Sequence, residues 1–300
     1  MKNILRKIKH LLVFFIYFIP MLFYKKDTYK IYDDKKTIDL IVNENLSLCR
    51  YGDGEFKWML GIKQKSFQDD DGEMKNKLLN IFKDKDSKVL IGIPLSLNNC
   101  NGLTFQAKSY WMQFIIQYHC KIEKVVLKDK QYCNANVTRP YIDYKFKKHN
   151  IMEKKFANVK RIWDKRSILL VEGTYSRLGV SNDIFDNALC IRRIICPPKN
   201  AFKKYSEIFD SIENNYNNGD IVLISLGPTA TILAYEIGNK GIQCIDIGHI
   251  DIEYEWFLRN AKTKISIDGK FVNEAQTNKK ISDVTDKKYN EQIIDIISED

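Results

Sequence analysis

The chain has 300 residues, of which 44% are hydrophobic and 29% are charged, and its formal net charge at pH 7 is +10. This length and apolar content exclude a disordered chain and allow one large α/β domain or two small ones. The positive charge favours an anionic partner, but it does not choose among a nucleic acid, an anionic membrane surface and a phosphorylated substrate.

The first 27 residues form a basic and apolar segment. An apolar run from Leu11 to Tyr24 contains Pro20 and is shorter than the roughly 18 to 20 residues that span a bilayer. No small-residue cleavage site follows it. Its helical spacing predicts either a helix on an anionic membrane surface, which we favour slightly, or a helix packed on the protein's own core. The basic residues before the run are Lys2, Arg6, Lys7, Lys9 and His10.

The segment 50–56 contains two carboxylates separated by one residue, Asp53 and Glu55, with Gly52 directly before the pair and Gly54 between its members. Side chains at i and i+2 share a face where the backbone is extended or turning, so these two converge if a strand ends here. Mg²⁺ and Mn²⁺ prefer such hard oxygen ligands and take their other ligands from water and substrate phosphates. The alternative is that Asp53 caps a helix beginning near Glu55.

From residue 28 onward, strand-like and helix-like segments alternate without a linker or repeat. Strands are predicted at 46–50, 88–93, 168–172, 189–196, 220–226 and 243–247. Amphipathic helices are predicted near 73–83, 104–118, 151–163, 200–216 and 229–238. Several strands are continuous apolar runs, typical of a parallel sheet buried on both faces. The pattern predicts an α/β fold, Rossmann-like and doubly wound, with helices on both faces of a mostly parallel sheet and ligands beyond the carboxyl ends of its strands.

Two loops after predicted strands carry polar residues that suit phosphate or ribose. The loop after 168–172 combines glycine, a cation and hydroxyl groups, and the turn after 220–226 places glycine and proline at the start of a helix, where anions bind. Neither contains a P-loop or a GxGxxG motif. Ordinary strand-to-helix turn chemistry is the alternative for both. The residues concerned are Glu172, Gly173, Ser176, Arg177, Asn182, Asp183, Gly227, Pro228 and Thr229.

The strand at 243–247 is followed by four alternating titratable residues, His249, Asp251, Glu253 and Glu255. On an extended backbone all four share one face, whereas on a helix His249 pairs with Glu253 and Asp251 pairs with Glu255. Either arrangement can supply a general base or a second metal ligand. Structural hydrogen bonding is the alternative. An acidic run at 69–73 is a rival metal site, although acids before an amphipathic helix usually serve its N-terminus.

These stretches together resemble the GT-D glycosyltransferase family, over roughly residues 46–260. The stretches that carry the resemblance are RYGDGEF at 50–56, VTRPY at 137–141, VEG at 171–173, SRLG at 176–179, ND at 182–183, CP at 196–197, NAF at 200–202, LGPTA at 226–230 and IDIGHIDIEYEW at 245–256. The resemblance implies a Rossmann-like core and a nucleotide-sugar-dependent transferase whose Asp-X-Glu motif binds metal, which assigns that role to Asp53 and Glu55. One departure is Ser181, where we expect glycine.

The implied reaction moves a sugar from a nucleoside diphosphate sugar, a UDP-hexose by preference, to a hydroxyl of a glycan, glycolipid or glycoprotein. Mn²⁺ or Mg²⁺ would bridge the diphosphate. Arg50, Gly52, Arg177 and the amides after Gly227 are expected to complete the donor site. The base is expected among the residues of 249–255, with Glu253 or Glu255 favoured. This interpretation divides the chain into an N-terminal segment (1–27), the catalytic domain (28–260) and a lysine-rich extension (261–300).

Seven scattered cysteines form no CxxC pair and no zinc spacing, which predicts reduced thiols and a cytoplasmic protein, peripheral on the cytoplasmic face of the membrane if the first segment binds lipid. Two other classes stay open. A noncatalytic scaffold at the membrane would bind a nucleotide or glycan without turnover. A nucleic-acid-binding protein would explain the charge, but the lysines are scattered and no reader motif is present, so we expect no nucleic acid partner.

Overall fold

A nine-stranded sheet forms the centre of the molecule in the computed structural model, which describes residues 2–23, 29–63, 72–272, 275 and 286–299. The strands are β1 (Lys30–Ile31), β2 (Leu48–Arg50), β3 (Leu90–Ile93), β4 (Gln131–Asn134), β5 (Ser167–Gly173), β6 (Cys190–Cys196), β7 (Ile221–Ser225), β8 (Cys244–Asp246) and β9 (Ile293–Ile296). Their order is β1-β4-β3-β2-β8-β7-β5-β6-β9. Every pairing between these strands is parallel, so their carboxyl ends lie along one edge.

Helices cover both faces of this sheet. They are α1 (Lys2–Phe23), α2 (Asp34–Asn43), α3 (Asp53–Met59), α4 (Gly72–Lys83), α5 (Phe105–Val125), α6 (His149–Lys160), α7 (Tyr205–Asn215), α8 (Pro228–Asn239), α9 (Ile250–Leu258) and α10 (Lys287–Glu291). One apolar core holds residues of α3, α4, α5, α7 and α8, and a second holds residues of α2, α6 and α9. The fold therefore has three layers.

The central strands are buried on both sides. In β5, Leu169 and Val171 join the first core, whereas Ile168 and Leu170 join the second, and all four are fully buried. Because side chains alternate across a strand, a sheet covered on both faces needs continuous apolar runs. This confirms the predicted doubly wound α/β architecture.

All six predicted strands and all five predicted helices are present. β1, β4 and β9 were not predicted. β1 has two residues, and β4 reads Gln-Tyr-Cys-Asn, which gives no apolar run. In the acidic run at 69–73, residues 69–71 lie outside the described part of the chain. Glu73, at the end of this run, lies in the first turn of α4.

The chain reverses its direction of travel across the sheet next to β2. From β2 it proceeds outward through β3 to β4, whereas β5 and β6 lie on the other side and β7 and β8 return toward β2. Leu48 of β2 pairs with Ile245 of β8. Such a switch point opens a crevice beyond the strand ends, where doubly wound sheets bind their ligands.

Residues beyond 260 contribute to the same sheet and core. β9 pairs with β6, and Ile267 and Val272 are buried in the second core. The indole nitrogen of Trp256 donates to the carbonyl oxygen of Ile265 (2.9 Å). The region that the sequence assigns to an extension thus carries structural elements of the domain.

Candidate active site

The predicted site residues fall at the carboxyl edge of four neighbouring strands. The turns after β2, β8, β7 and β5 contain, in that spatial order, residues 51–55, 247–251, 226–229 and 174–183. The first three turns surround the switch point. The fourth lies one strand further out.

Asp53 and Glu55 lie in the first turn of α3. The expectation of an extended or turning backbone at this pair was wrong, because the helix begins at Asp53 itself. Oε2 of Glu55 accepts a hydrogen bond from the amide of Gly52 (2.8 Å). A glutamate at the third helical position satisfies an amide that the helix leaves without a partner, so local capping favours the helix. The N-cap residue is Gly52 and the side chain that bonds to its amide is that of Glu55, so Asp53 is not the cap that the alternative interpretation supposed.

Asp53 is bound by two groups from α3 and α5. Its Oδ2 atom accepts hydrogen bonds from Nζ of Lys57 (2.8 Å) and from the hydroxyl of Tyr110. Burial alone would raise the pKa of Asp53, but the Lys57 ammonium and the two hydrogen bonds outweigh it and hold this pKa below its usual value. The side chain is 41% exposed. The carboxylate is therefore anionic, accessible and already paired with a cation.

Glu55 lies in a field of negative charge. Burial raises its pKa to about 7, and the carboxylates of Asp246 and Asp53 add to this effect. Within the described part of the chain, no three His, Cys, Asp or Glu side chains are grouped to hold a metal ion. Mg²⁺ and Mn²⁺ need only one or two protein carboxylates when water and phosphates supply the rest. Asp53 and Glu55 offer two such carboxyl groups at one helix start, near enough for the charge of Asp53 to act on Glu55, and this donor set suits such a cation.

Arg50 joins the ends of three strands. Its guanidinium donates to the carbonyl oxygens of Asp246 (2.8 Å) and Ala135 (2.9 Å), and Nη2 lies 3.2 Å from Oδ1 of Asp246. A Cβ atom at Gly248 would stand 1.9 Å from the same Nη2 atom. The donors of Arg50 are thus directed to protein oxygens, which favours a role in positioning the turn after β8 over direct phosphate binding.

The start of α8 lies beside this turn. Gly227 adopts a positive φ of 57°, which a glycine tolerates, and Pro228 occupies the first helical position as predicted. The hydroxyl of Thr231 donates to the carbonyl oxygen of Arg50 (2.9 Å). The Ser225 hydroxyl donates to the carbonyl oxygen of Gly248 (2.8 Å). These bonds fix the turns after β7 and β8 against β2. Thr229, the third residue predicted here, is buried.

The loop after β5 is held mainly by its own polar residues. Glu172 is fully buried, pairs with Arg193 and accepts a bond from the amide of Leu178 (2.7 Å). Arg177 donates to the carbonyl oxygen of Gly269 (2.8 Å). Ser181 has a φ of 63°, in the left-handed region that favours glycine, and this explains why glycine is expected there.

The remaining predicted residues of this loop also have partners within the protein. The amide of Ser176 donates to the carbonyl oxygen of Gly173 (2.8 Å). Oδ1 of Asp183 accepts from the hydroxyl of Tyr254 (2.8 Å), and its Oδ2 pairs with Lys160 (3.1 Å). These contacts favour a structural role for the loop, with the more exposed Asp183 at its outer end.

Asp251 and Glu255 pair on α9, which confirms the helical alternative for this cluster. Nζ of Lys270 lies 2.7 Å from Asp251 and 3.2 Å from Glu255, and all three side chains are buried. The amide nitrogen of Asn182 donates to both carboxylates (2.8 and 2.7 Å), and Arg259 also pairs with Glu255 (2.8 Å). A buried network that is satisfied in this way favours a structural role.

Glu253 is buried beside Arg139. Its Oε2 atom accepts from the amides of Tyr141 and Ile142 (2.9 Å each), and its Oε1 atom lies 3.6 Å from Nε of Arg139. Burial raises the pKa of Glu253 to about 7 against the opposing effect of Arg139. Arg139 also helps to lower the pKa of Asp53. It is therefore a cation of the site, which sequence reasoning did not select although it lies in the quoted stretch 137–141.

His249 differs from the other three members of its cluster. It is only half-buried, at the start of α9, whereas Asp251, Glu253 and Glu255 are at most 2% exposed. It directly follows Gly248, which is fixed between β2 and β7 by the bonds described above. His249 is thus the cluster member with solvent access at the switch point.

Comparison of the sequence with known proteins identifies glycosyltransferases as its relatives. The model of the family described as "Glycosyltransferase GT-D fold" matches residues 48–275. The chain is 36% identical to glycosyltransferase GlyD of Streptococcus pneumoniae serotype 4 over 260 residues, and 32% identical to the probable glycosyl transferase Gly of Streptococcus gordonii over 260 residues. Each match covers 86% of this chain, but only 31% and 37% of the relatives, so the chain spans about a third of their length.

Solved structures match over almost the whole chain. A domain of unknown function 1792, described as having a distinct glycosyltransferase fold, superposes with a TM-score of 0.84 at 32% identity and covers 90% of this chain and 96% of its own. A domain described as a new glycosyltransferase from Streptococcus sanguinis gives the same TM-score at 30% identity, covering 90% and 100%. Because the family model matches residues 48–275 and solved structures of this fold superpose on the chain at 30% identity or more, the chain belongs to the glycosyltransferase family of GT-D fold.

Proposed function

We propose that this chain transfers a sugar from a UDP-hexose donor to a hydroxyl group of a glycan, glycolipid or glycoprotein, in the synthesis of bacterial surface polysaccharide or glycoprotein, with Mn²⁺ or Mg²⁺ as cofactor. The observation that carries the proposal is the pair Asp53 and Glu55 at the start of α3. This pair places the accessible, anionic carboxylate of Asp53 and the carboxyl group of Glu55 beside the strand ends of the switch point, in a chain of this family.

The acidic pair would hold the divalent cation. When bound, the cation would neutralise negative charge on the departing diphosphate. Asp53 offers an ionised carboxylate, and Lys57 on its Oδ2 atom supplies positive charge at the same point. Arg139 adds a second cation, because its charge acts on Asp53 as well as on Glu253. The start of α8 offers the positive end of a helix dipole to an anionic ligand.

His249 is our choice for the base that accepts the proton of the acceptor hydroxyl. Glu253 and Glu255, which the sequence favoured, are buried and bound to other protein groups, as is Asp251. Histidine is also the side chain that most often serves as a general base in enzymes. The proposal places the reaction in the cytoplasm, and it is supported by the seven cysteines, all of which are thiols outside any disulfide bond.

Three variants test these roles. Asp53→Asn and Glu55→Gln should each lower transfer at least about a hundredfold and abolish the response to Mn²⁺. His249→Gln should lower transfer by about 10² to 10⁴ while leaving UDP-sugar binding nearly unchanged, because a base acts on the acceptor. UDP release with a panel of UDP-sugars and acceptors, together with calorimetry of donor binding, measures both effects.

The matched control is Glu44→Gln, an exposed acid at the end of α2 before β2, on the opposite edge of the sheet. It should retain full activity. Donor binding without release of UDP in the presence of any acceptor would identify a noncatalytic scaffold and contradict the proposal. Full activity of Asp53→Asn in excess chelator would contradict the metal assignment alone.

A further inference from the structure

Helix α1 packs one of its sides on the domain. The ring of Phe14 lies 5.0 Å from that of Phe105 on α5, and the side-chain amide of Gln117 donates to the hydroxyl of Tyr17 (2.8 Å). Met21 packs against the first core. The helix therefore lies along the surface of the domain and does not project from it. No helix in the described part of the chain is long and apolar enough to cross a bilayer.

The other side of α1 is apolar and uncovered. Seven large apolar side chains within 13 residues are between 47% and 83% exposed: Leu11, Leu12, Phe15, Ile16, Ile19, Leu22 and Phe23. Single exposed apolar residues are ordinary, but a continuous patch of this kind marks an interaction surface. We call these seven residues the α1 apolar face.

The positive charge of residues 1–26 indicates which partner the α1 apolar face binds. Residues 1–26 contain no acidic residue and six lysine or arginine residues, at positions 2, 6, 7, 9, 25 and 26. A second copy of the same segment would bring like charges together, on a chain of net charge +10. An anionic bilayer complements these charges and accepts the apolar side chains, as it does for helices that lie in the membrane interface.

We propose that the α1 apolar face docks on an anionic membrane surface, with α1 parallel to the bilayer and the domain on its cytosolic side. In this arrangement one side of α1 packs on the protein's own core and the other side lies on the membrane, which combines the two interpretations given for this segment from its sequence. α5, which carries α1 through Phe105, also carries Tyr110, whose hydroxyl binds Asp53. Since these two residues are about 7.5 Å apart along the axis of α5, docking keeps the candidate active site close to the membrane.

Co-sedimentation with vesicles tests the proposal. The full chain should bind phosphatidylcholine vesicles that contain phosphatidylglycerol, bind pure phosphatidylcholine far more weakly, and lose affinity in high salt. The double variant Ile16→Asp/Ile19→Asp should bind at least about tenfold more weakly, since it puts two charges into the apolar layer. Its melting temperature should not change, because both side chains lie on the uncovered side.

The control variant is Leu189→Asp, which adds a charge at an equally exposed leucine (73%) just before β6 and should bind vesicles like the parent. Equal binding by the double variant, or no binding by the parent, would overturn the proposal. So would a parent dimer in gel filtration that the double variant dissociates, because the face would then bind a second copy. UDP-sugar hydrolysis by the double variant should equal that of the parent, so the result is independent of the proposed reaction.

Discussion

Glu253 places a carboxylate where water does not reach it, and its protonation should therefore control stability. Burial raises the pKa of Glu253 to about 7 from an ordinary value of 4.5. The folded state then retains a proton that the unfolded state has released. The contribution of Glu253 to stability is therefore full below about pH 4.5 and is lost as the pH rises through about 7.

We expect Glu253→Gln to gain stability relative to the parent across this interval. Glutamine keeps an acceptor for the amides of Tyr141 and Ile142 but cannot ionise. The difference in unfolding free energy between variant and parent should shift by a few kcal/mol in favour of the variant between pH 4.5 and 8, since one pKa unit corresponds to about 1.4 kcal/mol. Urea denaturation at a series of pH values measures it. If the unfolding free energies of variant and parent change with pH in the same way, the raised pKa of buried Glu253 is contradicted. The control is Glu44→Gln, whose unfolding free energy should follow that of the parent at every pH.

For individual residues, the sequence predicted which ones lie at the candidate active site, but it did not predict which side chains they contact. The acidic pair, the cluster at 249–255 and the two loops all lie at the predicted edge of the sheet. Lys270 lies 19 residues from Asp251 in a segment without apolar pattern, and no local signal indicates that they pair. The tertiary fold determines which residues distant in sequence pair with each other. It also determines that Glu255 is buried whereas His249 is only half-buried, so the sequence could not predict this difference.

The turn after β8 is the element on which the candidate active site depends. Gly248 has a φ of 46°, and the guanidinium of Arg50 occupies the space where a side chain would begin. This contact makes β2, β8 and the start of α9 a single unit. Sequence patterns predicted β2 and β8 from their apolar residues and left an extended and a helical backbone open for the residues of α9, whereas β1 and β4 are held by pairing with neighbours and leave little pattern.

We predict that Gly248→Ala lowers the free energy of unfolding by at least about 2 kcal/mol, because the methyl group meets both an unfavourable φ and Arg50. Gly72→Ala, at the first residue of α4 with no atom near the added methyl group, should be neutral or slightly stabilising. Combining Gly248→Ala with Arg50→Ala should cost less than the sum of the single variants, since the clash is then removed. Additive losses in urea denaturation would contradict this contact.

The last strand, β9, is part of the central sheet of the molecule. β9 closes the edge of β6, and the amide of Ile297 donates to the carbonyl oxygen of Ile195 (2.8 Å). The Arg193 side chain bonds to Gln292 (2.7 Å) and stacks on the ring of Tyr289. An uncovered parallel edge strand is a site of aggregation.

Removing residues 286–300 should therefore lower the melting temperature by several degrees and promote aggregation, because the buried side chains of Tyr289 and Ile297 are lost and β6 becomes an edge strand. Removing only residues 298–300 should change neither property, since Ser298 and Glu299 are exposed. Calorimetry and light scattering measure both variants. Equal stability of the two truncated chains would mean that residues 286–297 do form a separate extension.

The pairing of β2 with β8 also determines the order in which the molecule can assemble. Arg50 and Asp246, which meet there, are 196 residues apart in the chain, so closing this loop carries a large entropic cost and belongs to the slow, non-local part of folding. The two halves of the sheet can each gain local structure earlier, but the crevice between them does not exist until they join. During refolding, binding of the proposed nucleotide-sugar donor should thus return with the last cooperative step, after most of the helical signal has recovered.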